Sequence, residues 1–341
     1  MADNKKAFSP PLFLGVDVGG TNIKLGVVDD AGATVCYTKF PSQADKSPEA
    51  SIEQIKPLIE KLLSEQGYSF DDIAAVGVGT PGPMDIEGGR LLTPYNMPGW
   101  HNYPIRDQLK KATGKPVTYT NDAGAAAFGE YWIGSGRQYS SMILITLGTG
   151  VGGGIIVDDV SIDGAHSHGA ECGHIIIDTS PEALICSCGK AGHLEAYASA
   201  TGIVARAKAA LCDHPESSLM KANKESSPLS ALDVSQAADG GDPLALELVK
   251  QTAEYLGRGI ATMAHIIDPE AFILGGAVDF GGEETPLGRS FLDGVIEETR
   301  RLVFPVLGEK LAINFAKLGG DAGYIGAAGM ARSHFAKSAS L

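Results

Sequence analysis

At 341 residues and 35.4 kDa the chain is too large for one small core, so it calls for two domains or a single large one. Hydrophobic residues make up 44% and charged residues 20%, which excludes a disordered or coiled-coil body. The formal charge of −14 and the lack of any basic block argue against nucleic acid and anionic membrane as partners, so phosphates would be handled through backbone N–H groups and a metal ion.

The segment Met1–Pro11 lacks the basic start and long apolar run of a signal peptide. Gln138–Val157 is uncharged and long enough to span a bilayer, but its five glycines and its Ser and Thr residues point to a buried soluble core. Five cysteines, two of them in Cys186-Ser187-Cys188, do not make a secreted disulfide framework. A cytoplasmic location is expected.

In chain order, Leu12–Asp17 predicts an apolar strand ending on an acid. Gly19-Gly20 makes a turn, Asn22–Val28 a second strand, Asp29–Gly32 a hairpin turn and Ala33–Phe40 a third strand. Ser51–Gln66 carries apolar residues at Ile52, Ile55, Ile59, Leu62 and Leu63, a helical period, with Pro57 set to kink or delay it. Ile73–Val78 and Pro116–Thr120 predict strands, with a helix over Ile105–Thr113 between them. A short helix at Ala123–Tyr131 leads to a strand at Met142–Thr146. Gly148-Thr149-Gly150 then turns the chain into another strand, Gly154–Val157. Helices are predicted over Pro243–Ile267, Pro286–Val303 and Gly319–Arg332, and a strand over Ala271–Leu274. The twofold occurrence of strand, Gly-Thr turn, strand implies a duplicated α/β unit with a ligand cleft between the copies.

Gly148-x-Gly150-x-x-Gly153 matches the dinucleotide fingerprint in letters, but a strand pattern follows where a helix must open, and no P-loop motif occurs. Asp17-Val18-Gly19-Gly20-Thr21-Asn22-x-Lys24 reads better as a phosphate turn. Glycine permits positive φ and close backbone approach to an anion, Thr21 adds a hydroxyl, and Asp17 can hold Mg²⁺ directly or through water. Asn121-Asp122, between a strand and a helix, admits a plain reading in which Asp122 is the helix N-cap.

The D-x-G-G-T-x-x-K opening, together with Leu147–Gly154, resembles the ROK family of bacterial sugar kinases and repressors. The resemblance runs from Leu12 to about Arg332. It takes in Gly79-Thr80-Pro81-Gly82, Asn96–Trp100, Asn121-Asp122, Glu171-x-Gly173-His174, Cys186-x-Cys188-Gly189-x-x-Gly192, Leu194-Glu195 and Gly275-Gly276. It implies an α/β, actin-like, ribonuclease-H-like ATPase fold of two lobes with an interdomain cleft. The smaller lobe would take residues 1–122, with a helix over 320–341 packing back on it, and the larger lobe residues 123–319.

By resemblance Asp122 is the catalytic carboxylate, accepting the proton of a sugar hydroxyl. Gly82, Asn96, Asn121, Glu171, His174 and Glu195 bind the sugar. Asp17, Gly19, Gly20, Thr21, Asn22, Lys24, Gly148, Thr149, Gly150, Gly275 and Gly276 hold ATP and its Mg²⁺. Carboxylates and amides suit hydroxyls that both donate and accept, and a wrong sugar leaves them unpaired. The expected activity is transfer of the γ-phosphoryl of ATP to the 6-hydroxyl of a hexose, glucose first. The other readings are a kinase for fructose, allose or an N-acetylhexosamine, and a non-catalytic sugar sensor. A repressor would need a DNA-binding segment ahead of Leu12, where only eleven residues stand. A homo-oligomer, dimer or tetramer, is implied by the family alone.

The family's zinc pattern of one His and three Cys is altered here, because His193 stands in the last Cys position. Either the site is lost, or His174, Cys186, Cys188 and His193 form a Cys₂His₂ structural Zn²⁺ site.

Overall fold

The computed structural model describes residues 8–94, 96–222 and 228–339. The first seven residues of the predicted N-terminal segment and the last two of the predicted final helix lie outside that range. The chain divides into two compact units. One gathers the described residues up to Gln138, Gly154–Ala170 and those from Lys317 onward; the other gathers Tyr139–Gly153 and Glu171–Ala316.

The strands are β1 (Leu12–Val18), β2 (Asn22–Val28), β3 (Thr34–Pro41), β4 (Ile73–Thr80), β5 (Met84–Asp85), β6 (Arg90–Leu91), β7 (Val117–Asn121), β8 (Ser141–Leu147), β9 (Val151–Val157), β10 (Val160–Ser161), β11 (Ala271–Gly276) and β12 (Ala312–Phe315). Two five-stranded sheets share one plan, with orders β3-β2-β1-β4-β7 and β10-β9-β8-β11-β12. In the first, β2 runs antiparallel to β1 while β4 and β7 are parallel to it; in the second, β11 is parallel to β8 and to β12. The duplication read from the two Gly-Thr turns is thus a duplication of topology. The uncharged run Gln138–Val157 is the β8–β9 hairpin. Near-continuous burial of β1 explains its unbroken apolar sequence, whereas edge strand β3 alternates.

The helix predicted over Ser51–Gln66 is two helices, Glu49–Glu53 and Ile55–Glu65, parted at Gln54. Pro57 lies in the first turn of the second, where its missing N–H has no intrahelical partner to lose. Buried Ile55, Ile59 and Leu63, four apart, face the core. The helix predicted over Gly319–Arg332 begins at Ala322, after a 3₁₀ turn at Gly319–Asp321, and continues to Ala339.

That last helix lies directly on the first sheet. Gly15, Gly26 and Gly77 are register neighbours across β1, β2 and β4. A Cβ on Gly15 would stand 1.8 Å from the Tyr324 carbonyl oxygen, one on Gly77 1.8 Å from that of Ala327, and one on Gly26 2.1 Å from the Tyr324 ring. The helix Asp122–Trp132 crosses it as closely, since a Cβ on Gly326 would stand 1.7 Å from the Ala125 oxygen. Beside this crossing the fully buried Glu130 carboxylate accepts N–H bonds from Ser135 (2.8 Å), Lys317 (2.9 Å) and Leu318 (2.7 Å).

Candidate active site

In the first unit the β1–β2 turn is closed by the Gly19 N–H on the Asn22 oxygen at 2.9 Å. Ser42, fully buried and not singled out by the sequence, fastens it: its hydroxyl donates to the Gly20 oxygen (2.7 Å) and its N–H to the Thr21 oxygen (3.0 Å). Neither Gly19 nor Gly20 has positive φ, which corrects the expected reason for glycine. A Cβ on Gly20 would meet Asn96 Cβ at 3.4 Å, an ordinary contact that places Asn96 beside the turn. Asp17 ends β1 against Gly323, in the first turn of the last helix, where a Cβ would stand 2.6 Å from Oδ2. Burial pushes the Asp17 carboxyl up, while Lys24, 3.4 Å away, opposes. Lys24 also donates to the Gly320 oxygen at 2.7 Å.

The N-cap of the helix Asp122–Trp132 is Asn121, whose Oδ1 accepts from Ala123 N (2.9 Å) and Gly124 N (3.3 Å). This corrects the plain reading of Asp122 as the cap: Asp122 is the first helical residue, with Oδ1 2.8 Å from Ala123 N. Asn121 Nδ2 remains directed toward Gly82, 3.9 Å from where its Cβ would be. An anion at this position sits at the positive end of the helix dipole.

In the second unit the Gly148 N–H bonds the Gly150 oxygen at 2.9 Å, and Thr201 donates to the Thr149 oxygen at 2.9 Å. Here too neither glycine has positive φ. A Cβ on Gly150 would stand 2.4 Å from Glu195 Oε2, which accepts the Val151 N–H at 3.0 Å. Glu195 Oε1 accepts from the Ser187 hydroxyl and from Cys186 Sγ (3.3 Å). Burial raises the Glu195 carboxyl, but the Ser187 and Val151 donors outweigh it and hold it below the usual range. Ser187 had no role in the sequence beyond lying between two cysteines. Exposed Glu171 heads the 3₁₀ turn Cys172–His174, pressed on β9 through Gly173, whose Cβ would stand 2.2 Å from the Val151 oxygen. Gly276 ends β11 with φ +96°, and its Cβ would meet the Leu147 oxygen at 2.2 Å.

His174, Cys186, Cys188 and His193 converge, their ligand atoms all within 4.8 Å of one another. His174 Nδ1 lies 3.2 Å from His193 Nδ1 and 3.7 Å from Cys186 Sγ, and Cys188 Sγ lies 3.2 Å from His193 Nδ1. Bonds of about 2.0–2.3 Å around a tetrahedral zinc imply ligand separations of roughly 3.3–3.8 Å, close to these three distances, and two Cys with two His are ligand types that zinc takes.

These sheets and turns define an α/β protein of the actin-like, ribonuclease-H-like ATPase fold. The chain belongs to the ROK family, whose model matches residues 13–334. It is 36% identical over 314 residues to a glucokinase of Halalkalibacterium halodurans, covering 92% of this chain and 93% of that one. Among solved structures, a ROK hexokinase from Thermus thermophilus superposes with a TM-score of 0.80 at 31% identity, covering 96% of this chain and 99% of that one. A ROK family glucokinase from Streptomyces griseus in complex with glucose and AMPPNP gives 0.75 at 36% identity, covering 94% and 99%.

Proposed function

We propose that this chain is a sugar kinase that phosphorylates glucose at its 6-hydroxyl with ATP. The observation that carries the reading is similarity to glucokinases along nearly the whole chain, with the Asn121-Asp122 pair set at a helix start. The chemistry follows from that pair. Asn121 caps the helix, and Asp122, its first residue, is assigned to take the 6-hydroxyl proton. The O6–phosphorus bond forms as the bond from phosphorus to the ADP oxygen breaks.

Glu195, Glu171, His174, Asn96, Asn121 and Gly82 are assigned to the sugar. Glu195, held by the Val151 N–H and the Ser187 hydroxyl, is an acceptor for hydroxyls. Asp17, Gly19, Gly20, Thr21, Asn22 and Lys24, with Gly148, Thr149, Gly150, Gly275 and Gly276, are assigned to the nucleotide. Asp17 would hold Mg²⁺, which neutralises phosphate charge; burial suits a carboxylate that gains from a bound cation. His174, Cys186, Cys188 and His193 would hold Zn²⁺. Engagement of His174 through Nδ1 leaves Nε2 for the sugar.

Five cysteines without disulfides and a nucleotide donor fit the cytoplasm. Among the described residues no helix is long and apolar enough to cross a membrane. The test is coupled ADP release over glucose, fructose, allose and N-acetylhexosamines. The highest kcat/KM should fall on glucose; a higher value on another sugar, or no sugar-dependent ADP, refutes the assignment. Elemental analysis should find about one zinc per chain, and a metal-free preparation with unchanged melting temperature removes the zinc.

A further inference from the structure

The four ligands of the zinc cluster come from a loop whose geometry is fixed by something other than the ligands. At its base Ile177 N–H donates to the Gly192 oxygen (2.8 Å) and Gly192 N–H to the Leu184 oxygen (2.9 Å). Gly192 has φ +79°, and a Cβ there would stand 1.9 Å from the Asp178 oxygen, so this crossing admits no side chain. A further tie across the loop is a side chain. The Tyr197 hydroxyl donates to Asp178 Oδ2 at 2.6 Å and accepts the Leu184 N–H at 2.8 Å. Asp178 is itself oriented by the Ser180 N–H on Oδ1 at 2.9 Å.

Tyr197 is 3% exposed and shares the single-turn helix Glu195–Ala198 with Glu195. Its ring packs on Tyr255 with centroids 4.6 Å apart, and the Arg206 and Arg258 guanidinium groups lie over the Tyr255 ring at 5.3 and 5.2 Å. The ring is therefore held from behind by the helices Ala200–Ala210 and Pro243–Ile267, while its hydroxyl reaches forward to the loop. Cys186 packs in the same apolar cluster as Tyr197. One short helix thus carries the acid at its start and, two residues later, the group that closes the loop.

We propose that Tyr197 is a positioning residue that couples the zinc-ligand loop to Glu195, so that loop order and sugar affinity are set together. The inference rests on the assignment of glucose and zinc made above. A loosened loop moves Ser187, whose hydroxyl donates to Glu195 Oε1, so the carboxylate loses its fixed aim at the sugar. The nucleotide turns of β1–β2 have no part in the Tyr197 contacts.

Tyr197→Phe keeps the ring and removes both hydrogen bonds. The loss of one charge-assisted and one neutral bond corresponds to roughly a tenfold to hundredfold effect. In the zinc-loaded protein, KM for glucose should rise about tenfold or more while KM for ATP stays within about twofold. Zinc transfer to a colorimetric chelator, measured without substrate, should accelerate by a similar factor. Asp178→Asn keeps an acceptor of neutral charge and should give a smaller shift in the same two readouts, which preserves the test if the Phe variant fails to fold. Unchanged zinc release in both variants overturns the coupling, as does an equal rise in both KM values. Wild-type protein with zinc but without glucose-dependent ADP release overturns the functional assignment instead, and the zinc-release arm still decides whether Tyr197 orders the loop.

Discussion

Gly150→Ala separates two reasons for a glycine in the second Gly-Thr turn. The backbone does not require glycine there, as its φ is not positive. The new methyl would stand 2.4 Å from Glu195 Oε2, about 1 Å inside ordinary contact. The carboxylate is the tip of a movable side chain, so it yields; the cost is the Val151 N–H bond at 3.0 Å and the alignment of Oε1 with Ser187 and Cys186. One hydrogen bond to a charged group contributes about 1.5–3 kcal/mol, or roughly 10- to 150-fold in affinity. Steady-state kinetics should therefore show glucose KM raised by that factor and a smaller change in ATP KM. In a Glu195→Ala background the same substitution should be nearly silent, since the obstructing carboxylate is gone. An equal penalty in both backgrounds refutes the clash with Glu195 as the source of the effect.

Asp122→Asn should lower turnover by about 10²–10⁴-fold with glucose binding retained by calorimetry, and near-normal turnover would remove Asp122 as the proton acceptor. Gly77→Ala places a Cβ 1.8 Å from the Ala327 oxygen, in backbone that cannot rotate away, and should cost about 3 kcal/mol, lowering Tm by roughly 6–12 °C. Gly240→Ala, at φ −76° with its nearest neighbour at 3.4 Å, is the matched control and should leave Tm nearly unchanged; equal melting shifts in the two would discredit the packing account. Asp242 carries the clearest acid dependence. Burial raises its carboxyl, but Ala245 N (3.1 Å), Ser218 N (2.6 Å) and the Ser217 and Ser218 hydroxyls (3.0 and 2.8 Å) together hold it below the usual value. Its contribution is complete above an unfolded pKa of about 4 and is lost as pH falls through the lower folded value. Asp242→Asn should therefore reduce Tm at neutral pH and flatten its decline between about pH 5 and 3; an unchanged slope contradicts this.

Elements with a strong period or a clear stop were legible in the sequence. Asn22–Val28, Ile105–Thr113 and Pro243–Ile267 carry their own boundaries in alternation, in Gly114 at φ +71°, and in Pro243 behind the Asp242 cap. Shorter pieces were not. β12 is four residues whose strand state comes from pairing with β11, and the helix Ala231–Asp239, opened by a Ser230–Asp233 capping box, was not predicted. At the site, residue identities were readable but their division of labour was not. Asn121 and Asp122 are both good caps by type, and only the path from β7 decides that Asn121 accepts the helix N–H groups. Likewise Gly20 looked like a positive-φ position and is not one, while the structure uses Gly150 for room beside Glu195.

The glycine row of β1, β2 and β4 has a consequence for how the molecule is made. Its cover, the helix Ala322–Ala339, is translated after every residue of the second unit, Tyr139–Gly153 and Glu171–Ala316. A nascent chain emerging at about 5–20 residues per second therefore exposes an unlidded sheet, bare backbone at Gly15, Gly26 and Gly77, for on the order of ten seconds or more before the matching helix leaves the ribosome. Gly15 and Gly77 have no side chain to replace that helix with another surface, and nothing wider than a carbonyl fits against them. The row acts as a keyed slot, made before the second unit and filled only after it.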